Sequence, residues 1–181
     1  MLGLSTLGVA HTAISLIAVA AGAAAFVRFR EIAWRTTAGK IYVVTTVLTC
    51  LTGFGIFRNG TFGPPHALGV ITLIVLALAV VAERRAIAGK ASRYLQTIGY
   101  STTFFFHMIP GFTETSTRLP PSAPLATGPD DPRLQAAIGV AFLVFIVGIA
   151  LQVRRLRAGR QPGDMPVGAP TAVVSSSIAP D

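Results

Sequence analysis

Five stretches of the chain are apolar for most of their length, and the charged residues fall in short blocks between them. The first, Ser5 to Val27, carries no charged side chain and is long enough to cross a hydrocarbon core of about 30 Å. The second runs from Ile41 to Phe57. The third, Ala67 to Ala82, is the shortest, and Pro64, Pro65 and His66 before it suit the opening turn of a helix. The fourth, Tyr94 to Phe112, is interrupted by Pro110 and Gly111, and the fifth, Leu134 to Val153, is again free of charge. The pattern predicts an all-α, polytopic transmembrane bundle of about five helices, at 5–27, 41–57, 66–82, 94–112 and 134–153. One domain then covers 1–157. Prolines at 120, 121, 124, 129 and 132 make 113–133 an irregular outer loop. The Gly-, Pro-, Ala- and Ser-rich tail, 158–181, is predicted to be disordered.

The blocks between the runs set the orientation, because Lys and Arg are retained on the cytoplasmic side. Arg28, Arg30, Arg35 and Lys40 follow the first run, Arg84, Arg85, Lys90 and Arg93 the third, and Arg154, Arg155, Arg157 and Arg160 the fifth. Twelve of the fifteen basic residues thus share one side, leaving Arg58, Arg118 and Arg133 opposite with Glu114, Asp130 and Asp131. This places the N-terminus outside and the C-terminus in the cytoplasm. A signal peptide would need a basic segment before its apolar run, and here the first charge, Arg28, comes after it, so the first helix is expected to be retained.

Composition narrows the classes further. The chain is 52% hydrophobic and 12% charged, far from the balance of a soluble domain. A net charge of +8 would point to nucleic acid in a soluble protein. Here the charges read as topology signals and lipid headgroup contacts, so the bilayer is the expected partner and nucleic acid is not. Cys50 stands alone and excludes an internal disulfide. Asn59-Gly60-Thr61 has the form of a glycosylation acceptor, and a tight turn explains it better.

The topology gathers the three histidines. His11, His66 and His107 all fall in the outer leaflet, although they are far apart in sequence. On the first helix Gly8, His11, Ser15, Ala18 and Gly22 recur at helical spacing as a stripe of small residues, which is a packing face. On the fourth, Gln96, Tyr100, Thr103, His107 and Glu114 make a face too polar for lipid, and Thr45, Thr49, Thr52 and Gly53 make a milder one on the second. Imidazoles at that depth suit a haem b or transition-metal site with His11, His66, His107 and Glu114 as ligand candidates and Arg58 or Arg118 near haem propionates. They equally suit a proton relay through His107 and Glu114. Glu114 and Arg118 stand four apart and pair if the helix survives Pro110. Against all of these stands simple hydrogen bonding of each imidazole to a neighbour. No catalytic motif is present, and neither H-E-x-x-H nor paired C-x-x-C occurs.

Several elements together resemble a family of small bacterial multi-pass membrane proteins of unknown function. They are the outer His11, Gly39-Lys40-Ile41-Tyr42-Val43-Val44, Pro65-His66-Ala67-Leu68-Gly69-Val70-Ile71-Thr72-Leu73 and the closing Arg84-Arg85. The likeness spans residues 5–120 or so and implies a bacterial inner-membrane location without supplying an activity. In that family histidines also stand in the cytoplasmic loops, where this chain has Trp34-Arg35-Thr36-Thr37 and Ser92-Arg93-Tyr94. Three functions remain open on the sequence: a membrane-embedded haem or metal protein, an accessory protein without a cofactor that binds a partner through its Pro-rich outer loop, and a small proton-coupled transport module. A second copy of the chain or another membrane protein is the candidate partner.

Overall fold

The computed structural model describes residues 5–56, 62–85, 89 and 91–159. Among them all regular structure is helical: α1 (Thr6–Phe29), α2 (Thr37–Phe54), α3 (Pro64–Arg85), α4 (Ala91–Arg118) and α5 (Pro132–Arg157). Arg58, the Asn59-Gly60-Thr61 turn, Lys90 and the expected disordered tail beyond residue 159 lie outside the described residues.

Local chemistry explains why the helices are longer than the apolar runs. The Ser5 hydroxyl accepts from the Gly8 amide at 3.1 Å and caps α1, while Thr36 accepts from the Gly39 amide at 3.0 Å and starts α2 a turn before the apolar run. Pro64 and Pro65 form the first turn of α3, which continues through Glu83, Arg84 and Arg85 once their charged ends reach the surface. Hydropathy marks the lipid-facing length of a helix, and the caps mark its ends.

The largest difference is in α4. The expected break at Pro110 and outer loop from residue 113 are replaced by a single helix to Arg118, and the connection spans only 119–131. Pro110 removes one amide hydrogen bond, and its ring lies on an exposed face. Beyond it the hydroxyls of Thr113 and Thr117 donate to the carbonyls of Ile109 and Thr113, at 2.9 and 2.7 Å, and Glu114 pairs with Arg118 one turn on. The loop folds back over this end: the Ala126 amide donates to the Ser116 carbonyl at 2.9 Å and Ala126 is buried.

Consecutive helices run antiparallel. α1 packs on α2, α2 on α3, α3 on α4, and α4 returns to α1, which closes a four-helix ring; α5 lies outside, against α4. The core gathers Ala25, Ile32, Tyr42, Val43, Leu76, Ala79 and Tyr100. Backbones approach where side chains are absent: a Cβ at Gly22 would lie 2.6 Å from the Phe104 ring, and one at Gly99 would lie 2.9 Å from the Ala79 Cβ.

Helices α1, α2, α3 and α5 are each long and apolar enough to cross a membrane. α4 is not among them by composition, and the packing shows why. It runs between α3, α5 and α1 and turns Gln96, Thr97, Tyr100, Ser101, Thr103 and His107 inward, all buried. Outside, Val140, Val144 and Val147 of α5 and Val70, Ile74 and Leu78 of α3 are exposed. Apolar outside and polar inside is the arrangement of a bundle whose solvent is lipid.

Candidate functional site

The ring has two ends. One carries the α1–α2 turn and the termini of α3, α4 and α5 with their arginines, called here the basic end. The other carries the 119–131 loop, called the loop end. A series of polar side chains runs through the interior between them.

At the basic end, α3 supplies Glu83. Its carboxylate accepts from the Trp34 amide at 2.8 Å, the Arg35 amide at 3.1 Å and the Tyr100 hydroxyl at 2.8 Å. Glu31, in the α1–α2 turn and only 3% exposed, pairs with Arg35 at 2.7 Å and Arg93 at 3.5 Å. The two carboxylates tie the turn to α3 and α4. Sequence reasoning passed over both, because each sits among arginines and reads as ordinary surface charge. The available signal was an acidic residue at the very end of an apolar helix with no acidic neighbour to share a solvated face.

One turn deeper, α2 and α4 meet through side chains. The Thr103 hydroxyl donates to the Tyr100 carbonyl at 3.0 Å, so its oxygen accepts the Tyr42 hydroxyl at 2.8 Å. One turn along α2 from Tyr42, Thr46 Oγ1 lies 3.0 Å from His107 Nε2. Tyr42, Thr46, Thr103 and His107 are all buried, with Thr46 and Thr103 at 0% exposure. Of the expected polar face of α2, Thr49 is buried and Thr52 and Gly53 meet His11, whereas Thr45 returns its hydroxyl to the Ile41 carbonyl at 2.7 Å and Thr46, outside that face, makes the contact with α4. Cys50 is buried on the same side of α2 as a free thiol.

At the loop end, His11 Nδ1 lies 3.0 Å from Thr52 Oγ1, and the ring packs 3.2 Å from where a Cβ on Gly53 would stand. The Thr52 hydroxyl donates to the Leu48 carbonyl at 2.8 Å. With the hydroxyl donating there, the Thr52 oxygen can accept from His11 Nδ1, on a half-buried ring.

His66 belongs elsewhere. Its Nδ1 accepts from the Gly63 amide at 3.2 Å and its ring stacks on Phe62 at 5.1 Å, so it caps the start of α3. Among the described residues no group of three or more His, Cys, Asp and Glu side chains is arranged to hold a metal ion. The four-ligand set of His11, His66, His107 and Glu114 is therefore not assembled, because the capping role holds His66 at the α3 terminus and Glu114 is turned outward to Arg118. Of the remaining polar-face candidates, Tyr100 and Thr103 join the interior series and Arg118 does not.

The class this defines is a helical membrane bundle with a hydrogen-bonded polar interior. No protein-family model matches the chain, and no curated protein or solved structure matches it either.

Proposed function

We propose that the chain is a multi-pass protein of the bacterial inner membrane, N-terminus outside, whose buried polar series moves protons between the outer surface and the bundle interior. It is in this reading a small proton-coupled module. The observation that carries it is the line of buried polar side chains between α2 and α4, His107 Nε2 to Thr46 at 3.0 Å and Tyr42 to Thr103 at 2.8 Å, with half-buried His11 bonded to Thr52 toward the loop end. Hydroxyls and imidazoles both accept and donate, so each can pass a proton on. A bundle needs no ionisable residue to hold its helices together, and intramembrane histidines mark proton pathways.

The series is interrupted twice, first between His11 and His107, which no hydrogen bond joins among the described residues. Between Tyr42 and Tyr100 the link runs through the Tyr100 carbonyl, which carries no transferable proton. Beyond that gap Tyr100 leads to Glu83 at the basic end. Rotation of the Tyr42 or Thr103 hydroxyl is the step that would gate passage. The resemblance to small bacterial membrane proteins and the placing of the arginines support the location and orientation.

Purified protein in liposomes with a trapped pH dye and an imposed potassium potential tests this directly. Proton entry above that of empty liposomes is expected, falling at least about tenfold in Thr46→Val and Tyr42→Phe, which keep shape and remove the hydroxyl. Equal rates with and without protein overturn it.

A second reading has its own observation. His11 Nε2 and His107 Nδ1 are the ring nitrogens not occupied by the threonines, an arrangement in which a second contact orients a metal-ligating imidazole. Two imidazoles from facing helices suffice for haem b. A Soret band or stoichiometric metal in the purified protein, lost in His11→Ala, would establish it, and the accessory reading would gain if neither flux nor chromophore is found.

A further inference from the structure

We propose that the groove between α1 and α5 at the basic end is a binding site for one anionic phospholipid, its phosphate held by Arg30 and Arg155 and an acyl chain lying over Gly148. It depends on the chain being in a membrane and not on the proton relay.

α5 is the least embedded element: none of its most apolar stretch is buried, and it packs along α4 and not along α1. At the basic end, however, one side chain spans the gap. Gln152 is 9% exposed on this otherwise lipid-facing helix; its Oε1 accepts from Ser101 of α4 at 2.8 Å and its Nε2 donates to the Arg30 carbonyl of α1 at 3.1 Å. α1 and α5 are thus joined by a polar crossbar and separated along their lengths.

Chemistry on either side of the crossbar differs. Arg155 stands three residues beyond Gln152 on the same face of α5, and Arg30 is the residue whose carbonyl the crossbar holds. Both are exposed, and Arg154 and Arg157 lie beside them. Arg30 ends α1 in the left-handed conformation, φ 64°, which turns the chain there and leaves its side chain at the helix rim. Glu31 and Glu83, the described carboxylates of this end, are engaged with Arg35, Arg93, Tyr100 and the Trp34 and Arg35 amides. The rim is accordingly cationic with its acids already committed.

Toward the membrane centre, Gly148 lies one turn from Gln152 on the same face, and a Cβ there would meet nothing within 4 Å. One further turn on, Phe145 stacks on Phe105 of α4 at 4.9 Å. Val27, three residues before Arg30 and 80% exposed, supplies apolar surface from α1. Cationic side chains above open apolar surface match a molecule with a phosphate at one end and hydrocarbon at the other. A free anion would use only the cationic side chains, and a neutral lipid only the apolar surface. Basic pockets between transmembrane helices recognise anionic headgroups in this way, each guanidinium contributing about a fivefold gain in affinity.

Native mass spectrometry of the full chain released from detergent, titrated with phosphatidylglycerol or phosphatidylcholine, is the test. One tightly held phosphatidylglycerol is expected, and phosphatidylcholine should bind at least about tenfold more weakly. The double variant Arg30→Asn, Arg155→Gln should lose roughly 25-fold; asparagine tolerates the left-handed backbone at 30. Gly148→Leu, which changes no charge, should also expel the lipid. Arg84→Gln with Arg85→Gln, at the end of α3, should keep it. Equal retention of both lipids, equal loss in the α3 variant, or full retention in Gly148→Leu overturns the proposal, and inorganic phosphate displacing the lipid at millimolar concentration would show an anion site without a lipid site.

Discussion

His107 on α4 and Thr46 on α2 are 61 positions apart in sequence and joined by a buried hydrogen bond of 3.0 Å between Nε2 and Oγ1. The two helices stand diagonally across the ring, so this bond and the Tyr42–Thr103 bond at 2.8 Å hold opposite walls together. Thr46→Val keeps the volume and removes the partner, leaving a ring nitrogen of a buried imidazole unsatisfied. The expected loss is about 1–3 kcal/mol, read as a lower Tm in detergent.

Two glycines on different helices should respond in opposite ways to alanine. A Cβ at Gly39 would lie 1.8 Å from the Ala33 carbonyl oxygen, a backbone atom that cannot swing aside. Gly39→Ala must push α2 away from the α1–α2 turn, disturbing the amides of Trp34 and Arg35 that reach Glu83. A loss of at least about 3 kcal/mol and poor recovery of folded protein are expected. At Gly111 nothing lies within 4 Å of the added carbon. Gly111→Ala should be neutral or gain up to about 1 kcal/mol from helix propensity, measured in the same thermal assay.

These glycines also show what was legible in the chain. Apolar runs located all five helices, four of which are long and apolar enough to cross a membrane. The small stripe from Gly8 to Gly22 marked the packing face of α1, whose Gly8, Ala18 and Gly22 are buried. The Gly39-Lys40-Ile41-Tyr42 element was visible as a pattern, but its reason is a tertiary contact with Ala33 that no spacing contains. The same holds for the interior series. Helical spacing put Tyr100, Thr103 and His107 on one face, whereas choosing Thr46 over Thr45 needed the rotation of α2 about its axis. Glu31 and Glu83 escaped notice because pairing is a property of the fold. The α4 terminus differs from the sequence pattern because a proline is a strong local signal, yet the Thr113 and Thr117 hydroxyls and the Glu114–Arg118 pair carry the helix past it.

Unpartnered buried hydroxyls give a third expectation. Thr97 is 2% exposed, and its Oγ1 has no hydrogen-bond partner, unlike the hydroxyls of Thr46 and Thr103. Burial of such a group costs about 1–3 kcal/mol in lost hydration without return. Thr97→Val should therefore raise the Tm, whereas Thr103→Val, which breaks bonds to Tyr42 and to the Tyr100 carbonyl, should lower it. If both variants lose stability equally, Thr97 is making a bond in the membrane that its geometry here does not display.

The start of α5 should depend on pH through Asp131. One carboxylate oxygen of this surface residue accepts from the Thr127 amide at 3.0 Å while the other accepts from the Arg133 amide at 2.9 Å, joining the loop to the first turn of α5. Those amides, Thr127 first and Arg133 next, favour the ionised form and hold the carboxyl below its ordinary value. The sign follows from linkage. A carboxyl depressed in the folded protein contributes stability that is complete above its unfolded value, about 4, and is lost as pH falls through the lower folded value. Hydrogen exchange at the amides of Thr127 and Arg133, read by mass spectrometry and corrected for intrinsic rates, should show protection constant from neutral pH to about 5 and falling below 4. Asp131→Asn removes the charge, so its protection should be lower at neutral pH and flat across that window. A wild-type profile as flat as that of the variant would mean that Pro132 and the packing of Leu134, 2% exposed, hold the helix start without the charge.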